Sequence, residues 1–208
     1  NNGRKYDIIN IDDPSNPFRV GVYEMDTPGH SIHDVWIENG IAYSSNWSDG
    51  VAAVDIGGMK FDEADRSQSQ FNPLLAKAGQ GSPSNPIKLA EMGDPTGRNH
   101  AAFPFLSKST GNFYIVGGDE NFPWGVRATR GEPSNPRGGF HFLNFTDPDN
   151  PKEDAVYQVP EAGSHNMWVY DDVLMAAFYQ GGLRVVDISG ELLGDIYNQG
   201  REIAVYQS

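Results

Sequence analysis

Apolar residues in this chain fall in short runs separated by turn clusters, and the runs repeat. One pattern, apolar, Asp or Asn, apolar, then a turn, occurs four times. It reads INID at Ile9–Asp12, VDIG at Val54–Gly57, LNFT at Leu143–Thr146 and VDIS at Val186–Ser189. A second pattern, a His opening a β-like run that contains an aromatic, occurs three times: HDVWI from His33, HAAFPF from His100 and HNMWVY from His165. The two keep register. His33 and Asp55 stand 22 residues apart, as do His165 and Asp187, while His100 and Asn144 stand 44 apart, one further segment of 22. The unit is therefore about 44 residues long, interrupted by two insertions.

Each unit reads as four short strands. In the first, a His33–Ile37 run meets the turn Asn39-Gly40, and Ile41–Ser45 and Val51–Ile56 follow; Asn-Gly between apolar runs is a strong hairpin signal. The third repeats the plan with Asp171-Asp172 as its turn. The fourth strand of a unit begins with FRVGVYEM at Phe18, IKLAEM at Ile87 and EDAVYQV at Glu153, two of them just after a DPxNP turn. Four strands at this period predict an all-β fold, a β-propeller of antiparallel four-stranded blades. Blades are expected at about 33–92, 100–158 and 165–206, with strands in 5–25 belonging to a preceding incomplete blade and insertions at 58–81 and 118–138. Within the first insertion, FDEADR and LLAKA have helical character.

The segments DDPSNPFRVGVYE, HDVWIENGIAYSS and GGLRVVDISG resemble the LVIVD-repeat family of exported propellers. The resemblance implies a periplasmic or extracellular protein of a family whose members mostly lack an assigned activity. NNGRKYD at the start has no apolar signal core, so an export signal is expected to be removed or to lie outside this chain. Three blades and two outer strands leave edges unpaired. The rest of a longer polypeptide, or a partner chain, is expected to complete the propeller.

Charge narrows the partners. Acidic residues outnumber basic ones 28 to 15, giving a net charge of −13 and a pI near 4.6. That argues against nucleic acid, whose phosphates need a basic face, and against an anionic membrane surface. No apolar run approaches the roughly 18 residues of a membrane helix, so direct membrane insertion is not expected. There is no cysteine, which removes thiolate catalysis, disulfides and iron–sulfur ligation.

The candidate chemistry follows from the register. His33, His100 and His165 occupy equivalent positions beside the expected axis, where three imidazoles suit zinc or copper. Asp34, Asn99 and Asn166 beside them are candidates to orient the rings. The alternative is a ring of polar residues that only joins neighbouring blades. His141 reads as a satisfied strand residue, and Asn10, Asp55, Asn144 and Asp187 as turn-forming caps. The 118–138 insertion carries Asp119, Glu120, Phe122, Trp124 and Arg127, and Trp47, Asp49, Tyr179 and Gln180 are expected to ring the same face. Such a surface suits a partner protein, or a small ligand such as a sugar or peptide, at the channel mouth. No G-x-S-x-G, Walker or H-E-x-x-H motif is present. Two functions follow: a binding or scaffold module working through the insertion-bearing face, or a metal-dependent enzyme or oxidoreductase built on the three His residues.

Overall fold

The computed structural model describes residues 3–28, 30–57, 72–123 and 137–207. It is all-β, built from antiparallel sheets. Strands β1 (Lys5–Asn10) and β2 (Phe18–Glu24) form a hairpin. The first four-stranded sheet runs in chain order through β3 (Asp34–Glu38), β4 (Ile41–Ser45), β5 (Val51–Asp55) and β6 (Ile87–Met92). A short helix, α1 (Pro73–Lys77), lies between β5 and β6. It falls on the LLAKA half of the helical expectation; FDEADR lies outside the described residues.

The second sheet is β7 (Asn99–Leu106), β8 (Phe113–Asp119), β9 (Phe140–Asn144) and β10 (Lys152–Tyr157). The third is β11 (Ser164–Tyr170), β12 (Val173–Phe178), β13 (Gly182–Asp187) and β15 (Glu202–Tyr206). Between β13 and β15, the two-residue strand β14 (Gly194–Asp195) pairs in parallel with β10. Two residues carry no readable alternation, and the repeat pattern does not anticipate this tie from the third sheet's connection onto the second.

Local chemistry sets the turns. Asn39 and Gly40 both have positive φ (51° and 73°), as do Asp171 and Asp172 (56° each). Two consecutive left-handed residues are what a type I′ hairpin turn needs, and Asn, Asp and Gly tolerate that conformation best. The recurring Asp/Asn at the end of the third strand also has one job throughout. Its Oδ1 accepts the backbone N–H two residues on, from Asn10 to Asp12, Asp55 to Gly57, Asn144 to Thr146 and Asp187 to Ser189, at 2.9–3.0 Å. These are Asx turns, and they redirect the chain toward the fourth strand.

The hairpin and the three sheets pack face to face in chain order. Tyr23 and Met25 of the hairpin region meet Ala52 and Val54. Ile41 and Tyr43 of the first sheet meet Ile115 and Leu143 of the second. Phe140 and Phe142 of the second meet Leu174, Ala176 and Phe178 of the third. Strands β4, β5 and β8 are covered on both faces and are buried at every position, whereas β12 alternates. Withdrawing one such large side chain from water contributes about 2 kcal/mol. Polar ties cross the same seams: the Asp172 carboxylate, on the third sheet's first turn, accepts the Lys108 and Ser109 N–H groups of the second sheet at 3.0 and 2.8 Å.

Candidate functional site

The opening strands of the three sheets, β3, β7 and β11, run side by side, and their equivalent residues meet in tiers. His33 precedes β3 by one residue, and His100 and His165 are the second residues of β7 and β11. Their rings form a row, with centroids 4.4 Å apart for His33–His100 and 4.2 Å for His100–His165. Three residues further along each strand stand Trp36, Phe103 and Trp168, whose ring centroids are 4.8–5.2 Å apart in every pair. This aromatic tier floors the imidazole tier. Beyond it lies a cavity of about 460 Å³ walled by Phe105, Tyr170 and the same three aromatics.

Close approach of β11 to β8 depends on Gly118. A side chain there would stand 2.7 Å from Met167 Cε and 3.1 Å from the His165 carbonyl oxygen. With only hydrogen at that position, His165 settles beside Glu120, just past the end of β8.

Glu120 completes the cluster. Its Oε2 is 3.4 Å from His100 Nδ1 and its Oε1 is 4.0 Å from His165 Nε2, and the Tyr179 hydroxyl donates to Oε1. Donor atoms of His33, His100 and Glu120 lie within 4.8 Å of one another. The structure brings the three expected imidazoles side by side and adds a carboxylate to them: donors of His33, His100 and Glu120 converge, with His165 beside them. The repeat could not show this, because Glu120 sits in an insertion without counterpart in the other units.

The His100 ring is anchored by a residue of the third sheet. It is buried, and its Nε2 lies 3.2 Å from Asn166 Oδ1. With the amide oxygen facing it, Nε2–H can donate there, and the tautomer that does so leaves the lone pair on Nδ1. That Nδ1 is buried without a hydrogen bond among the described residues, since the Glu120 contact is an ion-pair distance with poor hydrogen-bond geometry. Burial, then the neighbouring His165 and His33, push His100 below the usual histidine range, so the ring is neutral near pH 7. Burial works against the Glu120 carboxylate, but the Tyr179 hydroxyl and the three imidazoles outweigh it and hold its pKa below the ordinary value.

Of the residues expected to orient the imidazoles, Asn166 does so. Asp34 Oδ1 accepts the N–H of Val35, and Asn99 Nδ2 donates to the Ala101 carbonyl while its backbone pairs with Trp47. Trp47 packs on His33, centroids 4.3 Å apart, from a left-handed backbone at φ 49°. Asp49 binds His30 Nδ1 at 2.7 Å. Phe122 and Tyr179 form an exposed aromatic pair, centroids 4.7 Å apart. Gln180 donates to the Glu161 carbonyl. Trp124 and Arg127 lie outside the described residues.

Asp119 is not on that face either. Neighbouring residues of a strand point to opposite sides, so its carboxylate turns inward while Glu120 reaches the imidazoles. There it meets His141, whose Nε2 and Nδ1 lie 3.1 and 2.5 Å from Asp119 Oδ2 and Glu153 Oε1. Burial opposes charge on His141, but these two carboxylates raise its pKa to about 10. His141 is a satisfied strand residue, as its alternation predicts. Asp94, in the β6–β7 connection, joins the group: donor atoms of Asp94, Asp119 and His141 lie within 4.8 Å of one another.

No protein-family model matches the chain, and no curated protein does.

Proposed function

We propose that this chain is an arc of a β-propeller carrying a mononuclear transition-metal centre at one mouth of its channel. In this reading the three four-stranded sheets are blades, the hairpin is the outer half of another, and the remaining blades come from outside the chain. Sheets stacked face to face in chain order with their first strands together support it. The repeat resemblance further suggests an exported, LVIVD-type propeller working in the periplasm or outside the cell.

The observation that carries the metal reading is the buried His100 ring, anchored at Nε2 by Asn166, whose Nδ1 has no hydrogen-bond partner among the described residues and stands where donors of His33 and Glu120 converge. Two imidazoles and one carboxylate suit zinc or copper, and three protein donors leave coordination positions open, as catalytic metal sites require. Such a metal would supply Lewis acidity, polarising a bound carbonyl or phosphoryl group or acidifying a water. Asn166 would fix the His100 ring, Tyr179 would fix Glu120, and the Trp36–Phe103–Trp168 floor would keep water from the far side. The exposed Phe122–Tyr179 pair favours, as a second reading, a ledge that grips an aromatic or sugar-bearing partner at the same mouth.

Elemental analysis after exhaustive dialysis decides between them. The metal reading expects about one equivalent of zinc or copper, lost in His33→Ala/His100→Ala and in Glu120→Gln. A wild type that neither retains nor rebinds metal sinks it.

A further inference from the structure

The group around Asp119 has a chemistry unlike that of the imidazole tier. The Asp119 side chain is fully buried, yet its Oδ1 has no hydrogen-bond partner among the described residues, and neither has the buried Oδ2 of Asp94. Each carboxylate is fixed through its other oxygen. Asp94 Oδ1 accepts the N–H groups of Thr96 and Gly97 at 2.7 and 2.9 Å. Asp119 Oδ2 faces His141 Nε2 at 3.1 Å and the Thr96 hydroxyl. That hydroxyl also lies 3.0 Å from Asp94 Oδ1, and with one proton it can serve only one of the two oxygens.

Charge leads to the same place. Three carboxylates, Asp94, Asp119 and Glu153, surround one imidazolium, leaving two negative charges uncompensated in a partly desolvated pocket. An ionised carboxylate oxygen removed from water without a partner is costly. A carboxylate oxygen of Asp94 lies within 4.8 Å of one of Asp119, and two ionised carboxyls so close, each with an oxygen lacking a partner among the described residues, make a site for a dication.

We propose that Asp94 and Asp119 hold a hard divalent cation of the calcium type between their unpartnered oxygens, with the Thr96 hydroxyl as a further oxygen donor. The donor set selects the metal: both His141 nitrogens are engaged by carboxylates, so the site offers oxygen alone, which suits calcium or magnesium rather than zinc or copper. Asp94 and the exposed Thr96 and Arg98 lie in the β6–β7 connection, where the site opens to solvent. Because Asp119 directly precedes Glu120, the cation would also anchor the strand end that presents Glu120 to the imidazoles. Binding here does not depend on a metal at the imidazole tier.

Calorimetric titration of chelator-treated protein with calcium chloride at neutral pH tests it, using wild type, Asp94→Asn and His33→Ala/His100→Ala. The Asp94→Asn substitution keeps an Oδ1 acceptor for Thr96 and Gly97 but removes the charge. The expected result is one equivalent bound by wild type and by the double variant, with affinity at least about tenfold weaker in Asp94→Asn. Absence of binding at millimolar calcium, or equal binding by Asp94→Asn, overturns the proposal; in the first case the two carboxyls share a proton instead. Should Asp94→Asn lose native circular dichroism, carboxyl-labelled aspartate in wild type reads the same site by NMR. Calcium must then shift the Asp94 and Asp119 resonances, and shifts confined to other aspartates overturn the assignment.

Discussion

The amide oxygen of Asn166, on β11, faces Nε2 of His100, on β7, at 3.2 Å, so a residue of the third sheet anchors a ring in the second. Asn166 is itself exposed, and its removal leaves no cavity. On the proposed metal reading, Asn166→Leu should therefore unfold at nearly the wild-type urea midpoint while binding zinc about 10–100-fold more weakly, the usual cost of losing a ligand's supporting hydrogen bond. Competition with a chromophoric chelator measures the affinity. Asn166→Asp, which restores the acceptor, should recover most of it. Equal zinc affinity in Asn166→Leu would show that the contact does not govern His100.

Gly118 makes a steric prediction at the same site. In Gly118→Val the Met167 methyl, 2.7 Å from the first added carbon, can swing aside, but the His165 carbonyl at 3.1 Å is backbone, so β11 must give by a few tenths of an ångström. Overpacking of this kind costs about 1–3 kcal/mol. Because His165 and the Tyr179 contact to Glu120 move with the third sheet, zinc binding should weaken more in Gly118→Val than in a variant equally destabilised elsewhere, such as Leu174→Val. Parallel loss of stability and affinity in both variants would reduce Gly118 to a packing residue.

The inner tier is legible in the repeat alone. A His and an aromatic kept three residues apart at the opening of each unit have to land on equivalent strand positions, and they meet as the His33–His100–His165 and Trp36–Phe103–Trp168 tiers. The Asx role of Asn10, Asp55, Asn144 and Asp187 is legible for a similar reason, since it is a local hydrogen bond within two residues. Asp94 and Glu153 are not, and Glu120 is read in the sequence only as a residue of the mouth, not as a partner of the imidazoles. Glu120 and Asp94 belong to connections that differ from unit to unit, and Glu153 meets His141 only through the β9–β10 pairing. Asp119 is misplaced by the sequence because membership of an insertion says which end of the sheet it occupies, but not that the alternation of β8 turns it inward.

Equivalent repeat positions need not be energetically equal, and Asp55 and Asn10 test this. Asn10 caps one N–H at an exposed turn. Asp55 is buried and accepts three, from Gly57, Gly79 and Gly81, at 2.8–2.9 Å, tying the β5 end to the chain that returns toward β6. Asp55→Ala removes three hydrogen bonds to one charged group and empties a buried position, and should cost roughly 3 kcal/mol, against less than about 1 kcal/mol for Asn10→Ala. Urea midpoints of the two variants at a common m-value provide the comparison. Similar losses would mean that the Gly79 and Gly81 bonds exchange readily with water.

Alkaline stability gives the last prediction. Burial raises the phenols of Tyr6, Tyr43 and Tyr157 well above their ordinary value, with the Glu202 carboxylate adding to the effect at Tyr157, and burial raises Tyr23 to about 12. The folded chain therefore keeps these protons at pH values where the unfolded chain has released them. With more protons bound to the folded state, stability is fully present below about pH 10 and falls as pH rises beyond it. Each such phenol adds up to about 1.4 kcal/mol of loss per pH unit. Tyr6 separates this from general alkaline damage, because its hydroxyl is buried without a hydrogen-bond partner among the described residues. Tyr6→Phe removes an unsatisfied donor, so at pH 7 it should be as stable as wild type or more stable by about 1 kcal/mol. Between about pH 10 and 11.5 its unfolding free energy should decline less steeply than that of wild type. Denaturant unfolding at neutral pH and at several points across that alkaline range gives both slopes, and identical slopes would show that the Tyr6 phenol ionises as readily in the folded chain as in the unfolded one.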